Sequence, residues 1–380
     1  MTDKNTELDQ QQAFDPLDMN NYKVEKLPKM QKSGFEKWMA RLGGPVAVLV
    51  FILLYWVVDI PLFDNIDFSQ LGSKAQARLA VVGEENFIRI CYAMLAIFCS
   101  SIILWITEAV QSYLTSLLVI MSVILCGVTT QKDAFAQLGH PVMWLNILSF
   151  VLASMLVKTK VAKRFALWFV LRFGRNATGV FFSFIVINLV LSMFISATAV
   201  KASILLPIFM VVAAIYGAGN GVRNNFGRNL VLQNLLAVNV GASGFMTGAG
   251  AHLLAVSLIA GVVGGYTISY TEWLYAALPM ALIVLILGWL IGSKVIFPMK
   301  KEEQVPQIDG GMERLKNELQ AMGKVSMEEI KAVAIFVGVL VLWVTKKWHG
   351  IDETTVAFIG AVVALMPGIG IVKWNDVDIP

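Results

Sequence analysis

Apolar residues in this chain gather in long unbroken runs, not in the alternating or one-faced patterns of a soluble core. The longer runs hold about 20 residues, enough to carry an α-helix across a hydrocarbon layer of about 30 Å. The pattern predicts spans over 44–63, 91–109, 113–129, 142–157, 273–297, 332–346 and 354–371. Two runs differ. Segment 179–215 is almost wholly apolar but has basic residues on both flanks, so it should enter and leave on one side as a helical hairpin. Segment 230–262 is interrupted by Gly241, Gly244, Gly248 and Gly250 and reads as a broken helix. Irregular backbone at membrane depth is tolerable only where protein or a water-filled cavity meets it.

Composition agrees. Hydrophobic residues make up 57% of the 380 and charged residues only 15%, against about 25% charged in ordinary soluble domains. Cys91, Cys99 and Cys126 lie in apolar segments, an odd number without metal-ligand spacing, and His140, His252 and His349 are scattered. There is no HExxH, phosphate-binding loop or dinucleotide fingerprint. No set of nucleophile, base and metal ligands suggests an enzyme, and nothing suggests a nucleic-acid partner.

Charge placement supplies orientation. Residues 1–43 are polar, with Lys23, Lys26, Lys29, Lys32, Lys37 and Arg41 ahead of the first run, and read as a retained cytoplasmic tail, not a signal peptide. Residues 158–178 contain Lys158, Lys160, Lys163, Arg164, Arg172 and Arg175, no acidic residue, and interspersed Phe165, Leu167, Trp168, Leu171 and Phe173. That mixture suits an amphipathic helix lying in the interface, or else a plain basic loop. Four spans counted from a cytoplasmic N-terminus bring this cluster back to the cytoplasm, as the positive-inside rule expects. The expected layout is a tail (1–43), scaffold helices (44–157), an interfacial helix (158–178), hairpin plus broken helix (179–262), a span and cytoplasmic link (263–331), and the start of a second repeat (332–380). The location this implies is the cell inner membrane, crossed many times.

The repeat is read from LWIT (104–107) and LWVT (342–345). Each closes an apolar run, and each is followed by a short polar link and a second run, 115–128 and 355–369. By the span count the two helices run in opposite directions, as in inverted-repeat transporters.

Candidate chemistry sits where the apolar pattern breaks. In SMFISATAVKASILLPI (192–208), Ser192 and Ser196 share a helix face, and Ser196, Ala197 and Thr198 form the expected hairpin tip. Hydroxyls and free carbonyls there suit a small cation, and the N–H groups opening the next helix suit a carboxylate or sulfate oxygen. Packing and hydrogen bonding between helices is the structural alternative. In GASGFMTGAGAHL (241–253), glycines favour an unwound linker near a ligand, or close helix packing. Lys201 lies inside an apolar run, where charge is costly, so it is either functional or reaches the interface. His252 is a second candidate, or a hydrogen-bonded structural residue.

LWITEAV (104–110), QKDAFAQLGHPV (131–142), SMFISATAVKASILLPI, the glycine linker and LWVTKKWHGIDETTVAFIGAVVALMPGI (342–369) together resemble the divalent anion/sodium symporter family over most of residues 45–380. The resemblance implies a homodimeric elevator carrier of dicarboxylate, citrate or sulfate, with sodium as coupling ion between hairpin tip and unwound linker. It implies substrate binding by Ser196, Ala197, Thr198, Lys201, Gly250 and His252, and cation binding by Ser192, Ser196, Gly244 and Gly248. Two departures stand out. Ala197 replaces the asparagine of the family's Ser-Asn-Thr signature, and Gly248, Ala249, Gly250 and His252 stand where the family has a Gly-Thr-Pro-Asn-like stretch. The expected function is sodium-coupled dicarboxylate transport. Proton coupling or anion exchange on the same fold is the first alternative. A truncated, non-transporting protein is the second, since the second repeat reaches only its second span before Pro380.

Overall fold

The computed structural model describes residues 15–22, 32–64, 66–195, 198–219, 222–262, 266 and 268–377. Among them every regular element is helical, and the chain divides into two compact units, residues 28–140 and residues 1–27 with 141–380. Among the described residues four helical stretches are long and apolar enough to cross a membrane: Gly34–Val57, Glu84–Thr107, Gln131–Lys158 and Tyr270–Ile296. The protein is an all-α, multi-pass membrane protein.

The smaller unit is built on α1 (Gly34–Ile52), α2 (Ser73–Val82), α3 (Glu84–Thr107) and α4 (Ser112–Leu125). α1 starts ten residues before the apolar run because Ser33 and Glu36 form a reciprocal capping box. The expected tail therefore ends inside a helix. α1 and α3 approach closely at Gly43, where any Cβ would collide with Thr107, and Ser100 Oγ donates to the Ala47 carbonyl at 2.9 Å.

The larger unit holds α5 (Pro141–Lys158), α6 (Val161–Phe173), α7 (Ala177–Phe194), α8 (Thr198–Ile215), α9 (Asn225–Ser243), α10 (Gly250–Val262), α11 (Tyr270–Ile291), α12 (Gly311–Ala321), α13 (Met327–Val344) and α14 (Glu353–Leu365). α11 and α13 open on capping boxes, Ser269 with Glu272 and Ser326 with Glu329. Leu152, Met155, Phe181, Phe184, Ile187 and Trp343 are fully buried in its core. The segment Met19–Tyr22 joins that core, with Met19 and Tyr22 both buried, and Asp15 pairs with Arg314 at 2.5 Å. Other polar ties connect elements far apart in sequence. Lys163 pairs with Glu318 at 3.2 Å and Lys158 with Asp376 at 2.7 Å. Arg164 is fully engaged: Nε donates to Glu329 Oε1 at 2.7 Å, Nη1 to the Gly323 carbonyl and Nη2 to the Met322 carbonyl.

The two LW[IV]T segments share local structure. Trp105 Nε1 donates to the carbonyl of Ser112, first residue of α4. Trp343 Nε1 donates to the carbonyl of Glu353, first residue of α14. Thr107 and Thr345 each bond back to the carbonyl four residues earlier, and Gly127 and Gly368 follow the second helices with positive φ. These second helices, 14 and 13 residues, stop short of the expected 129 and 371. At 1.5 Å per residue they are about 20 Å long, below the thickness of a hydrocarbon core.

Candidate functional site

The site region lies in the larger unit, where the α7–α8 pair meets the break between α9 and α10. α9 ends at Ser243, a single 3₁₀ turn spans Met246–Gly248, and α10 starts at Gly250. Gly241 does not interrupt the helix. It lets α9 lie against α7, its missing Cβ facing Leu189 and Ser192 Oγ. The unwound turn touches α7 again through Thr247, whose Oγ1 lies 3.5 Å from the Met193 carbonyl.

Breaking a helix frees backbone carbonyls that must find partners inside an apolar environment. Two side chains supply them. His252 Nδ1 is 3.1 Å from the Phe245 carbonyl, and Trp273 Nε1 donates to the Ser243 carbonyl at 3.0 Å. The imidazole and the indole also lie side by side, ring centroids 5.4 Å apart. His252 is thus a brace of the unwound turn. Gly244 packs against Leu278 and Ala281 of α11, and a Cβ at Gly248 would run into the Ala242 carbonyl. Both glycines are accounted for by close packing. Gly250 abuts the Asn146 amide of α5, which would sit 3.2 Å from an added Cβ.

Lys201 is completely buried on the first turns of α8. Its Nζ donates to Ser192 Oγ at 2.9 Å, and Ser192 is itself fully buried. No carboxylate pairs with Lys201 among the described residues. Lys201 is enclosed by protein on every side. Thr198 opens α8 half-buried, and Ser196 and Ala197 lie outside the described residues. Of the expected residues, then, Ser192 and Lys201 are brought together, while the structure gives His252, Gly244 and Gly248 other neighbours.

Three polar residues escaped the sequence reading. Asn188, one turn before Ser192, is fully buried; its Nδ2 donates to the Phe184 carbonyl and Asn234 Oδ1, and its Oδ1 has no partner among the described residues. Thr247 and Asn146 are the others. Their signal was a lone amide or hydroxyl inside an apolar run, weaker than a charge or a glycine cluster. A buried ammonium with one hydroxyl partner can hold an anion, but it offers no nucleophile poised by a base.

Comparison with known proteins gives one family-level match: the model for the sodium:sulfate symporter transmembrane region covers residues 88–379. A membrane protein of Cupriavidus necator is 27% identical over 79% of this chain and 60% of its own length. Chloroplastic dicarboxylate transporter 1 of Arabidopsis thaliana is 27% identical over 77% of the chain and 52% of its own length. The sodium-dependent dicarboxylate transporter SdcS of Staphylococcus aureus is 28% identical over 69% of the chain and 52% of its own length. The chain spans between half and two thirds of the length of the curated relatives it matches.

Proposed function

This chain belongs to the sodium:sulfate symporter family, and from that premise we propose that it serves secondary active transport of small divalent anions, dicarboxylates above all. The observation that carries the reading is Lys201. A buried ammonium without a carboxylate costs several kcal/mol, and an arriving dianion would supply the missing charge. The positive end of the helix dipole at the start of α8 favours an anion in the same way. Transport dicarboxylates are named for the Arabidopsis and Staphylococcus relatives, which supports that choice of substrate. The protein works in the cell inner membrane as a homodimer, by an elevator movement of the hairpin and broken helix, with the LWIT and LWVT halves as inverted repeats and sodium as coupling ion.

One observation favours a second reading of the coupling. The Nζ of Lys201 stands 2.9 Å from Ser192 Oγ, the oxygen that the family resemblance assigns to a cation. A resident ammonium there would lessen the need for sodium and suit exchange or proton coupling. Proteoliposome uptake of labelled succinate, citrate and sulfate, driven in turn by a sodium gradient, a proton gradient or internal succinate, separates these outcomes. Succinate uptake above the protein-free background is expected. Failure to bind or move any of the three anions sinks the reading.

A further inference from the structure

On the face where α6, α12 and α13 meet, two neighbouring cavities share Arg164 and Glu329. One, of about 360 Å³, is polar and includes Lys160, Lys163, Lys324 and Ser326. The other, of about 940 Å³, is apolar and runs between Val161, Phe165 and Trp168 of α6 and a stripe on α13. That stripe is Ile330, Val333, Ala334 and Val337, the i, i+3, i+4, i+7 spacing of one helix face. Trp168, Ile330, Val333 and Val337 are all exposed, so none of the described residues fills the groove.

The charges around the polar cavity do not cancel. Arg164 and Lys163 are matched by Glu329 and Glu318. Lys160 and Lys324 are exposed and have no ion-pair partner among the described residues. A net positive cavity beside an apolar groove, with Arg164 and Glu329 lining both, has the two-part chemistry of one kind of molecule. We propose that this junction is a binding site for an anionic phospholipid, its phosphate held by Lys160 and Lys324 and an acyl chain laid along Trp168 and the α13 stripe. A free phosphate would leave the groove empty, and a zwitterionic lipid would leave the two lysines unmatched. Basic residues at a membrane surface attract anionic lipids by a similar logic. The inference is independent of the anion that the carrier moves.

The test uses the purified chain in mixed micelles, with brominated phosphatidylglycerol or brominated phosphatidylcholine as quencher. The Trp168 signal is taken as the difference between the native chain and Trp168→Phe. Phosphatidylglycerol should quench that signal at about tenfold lower mole fraction than phosphatidylcholine. Lys160→Gln with Lys324→Gln should abolish the preference while leaving the helical circular dichroism and the melting temperature of the native chain unchanged, and Lys160→Arg with Lys324→Arg should keep it. Ala334→Trp, which fills the groove and spares the lysines, should weaken quenching by both lipids. Equal quenching by the two lipids in the native chain overturns the proposal. So does displacement of phosphatidylglycerol by millimolar glycerol phosphate, which would mark a site for a soluble anion, and so does a preference that survives loss of both lysines.

Discussion

Lys201 and Ser192 form a pair whose members should respond oppositely to removal. Ser192→Ala strips the ammonium of its hydrogen bond and should cost about 1–3 kcal/mol of stability. Lys201→Met replaces the buried charge by an apolar chain of similar length and should be neutral or stabilising by about 1–4 kcal/mol. In the double variant the Ser192 penalty should vanish, because the charge that needed the hydroxyl is gone. Thermal melts of the four proteins test the cycle; additive effects would mean that the 2.9 Å contact carries no energy. On the functional side, Lys201→Met should weaken dicarboxylate binding at least about tenfold, and unchanged binding would remove the main support for an anion site there. The sequence exposed Lys201 plainly, as the one charge in a long apolar run. It could not expose its partner, because which of several nearby hydroxyls meets the ammonium is settled by how α8 folds back on α7.

The elements tell a similar story. Against expected runs of 179–215, read as a hairpin from its basic flanks, and 230–262, read as a broken helix from its glycines, the helices are Ala177–Phe194, Thr198–Ile215, Asn225–Ser243 and Gly250–Val262. Two kinds of detail were not legible in the sequence. Helix starts were missed where a Ser-x-x-Glu capping box extends a helix into polar sequence, as at Ser33 and Ser326. Helix ends were missed where a left-handed glycine stops an apolar run early, as at Gly368. Ser326→Ala should lower stability by about 0.5–2 kcal/mol and hasten hydrogen exchange in the first turn of α13; unaltered exchange would show that Arg164 alone holds that end. His252→Ala should free the Phe245 carbonyl and speed exchange across 244–252, where a substrate-only role for His252 predicts no change without ligand.

At the scale of the larger unit, polar ties gather segments distant in sequence. Residues 15–22, the start of α6, the link before α13 and the stretch after α14 are joined by the Asp15, Lys163, Arg164 and Lys158 bonds. Single cysteines at Asn20, Lys316 and Lys373, in a chain freed of its native thiols, should therefore share one accessibility to an impermeant reagent, and a split result would break the orientation read from charge. The Lys158 hydrogen bond and the Lys373 backbone N–H hold the Asp376 carboxyl below its ordinary value of 3.8. With the folded value lowered, the tie is fully present above that ordinary value and is lost as pH falls through the lowered one. The melting-temperature difference between the native chain and Asp376→Asn should stay constant from about pH 5 to 8 and close only in stronger acid; a difference that varies near neutrality would point to another group.

The burial of Met19 and Tyr22 against the body of the larger unit also sets a clock. These residues are made well before Arg314, which pairs with Asp15 and follows it by 299 residues. At about 5–20 residues per second the gap lasts roughly 15–60 s. Until α8 is made, Leu17, Met19 and Tyr22 lack the helix that the Met19–Tyr22 turn packs against, and until Arg314 is made Asp15 lacks its ion-pair partner. A segment made early is thus seated in two steps, on α8 first and through Arg314 later. An antibody or tag-binding probe against residues 15–22 should therefore capture nascent chains arrested before α8 is complete, and lose them in two stages, as α8 and then Arg314 emerge.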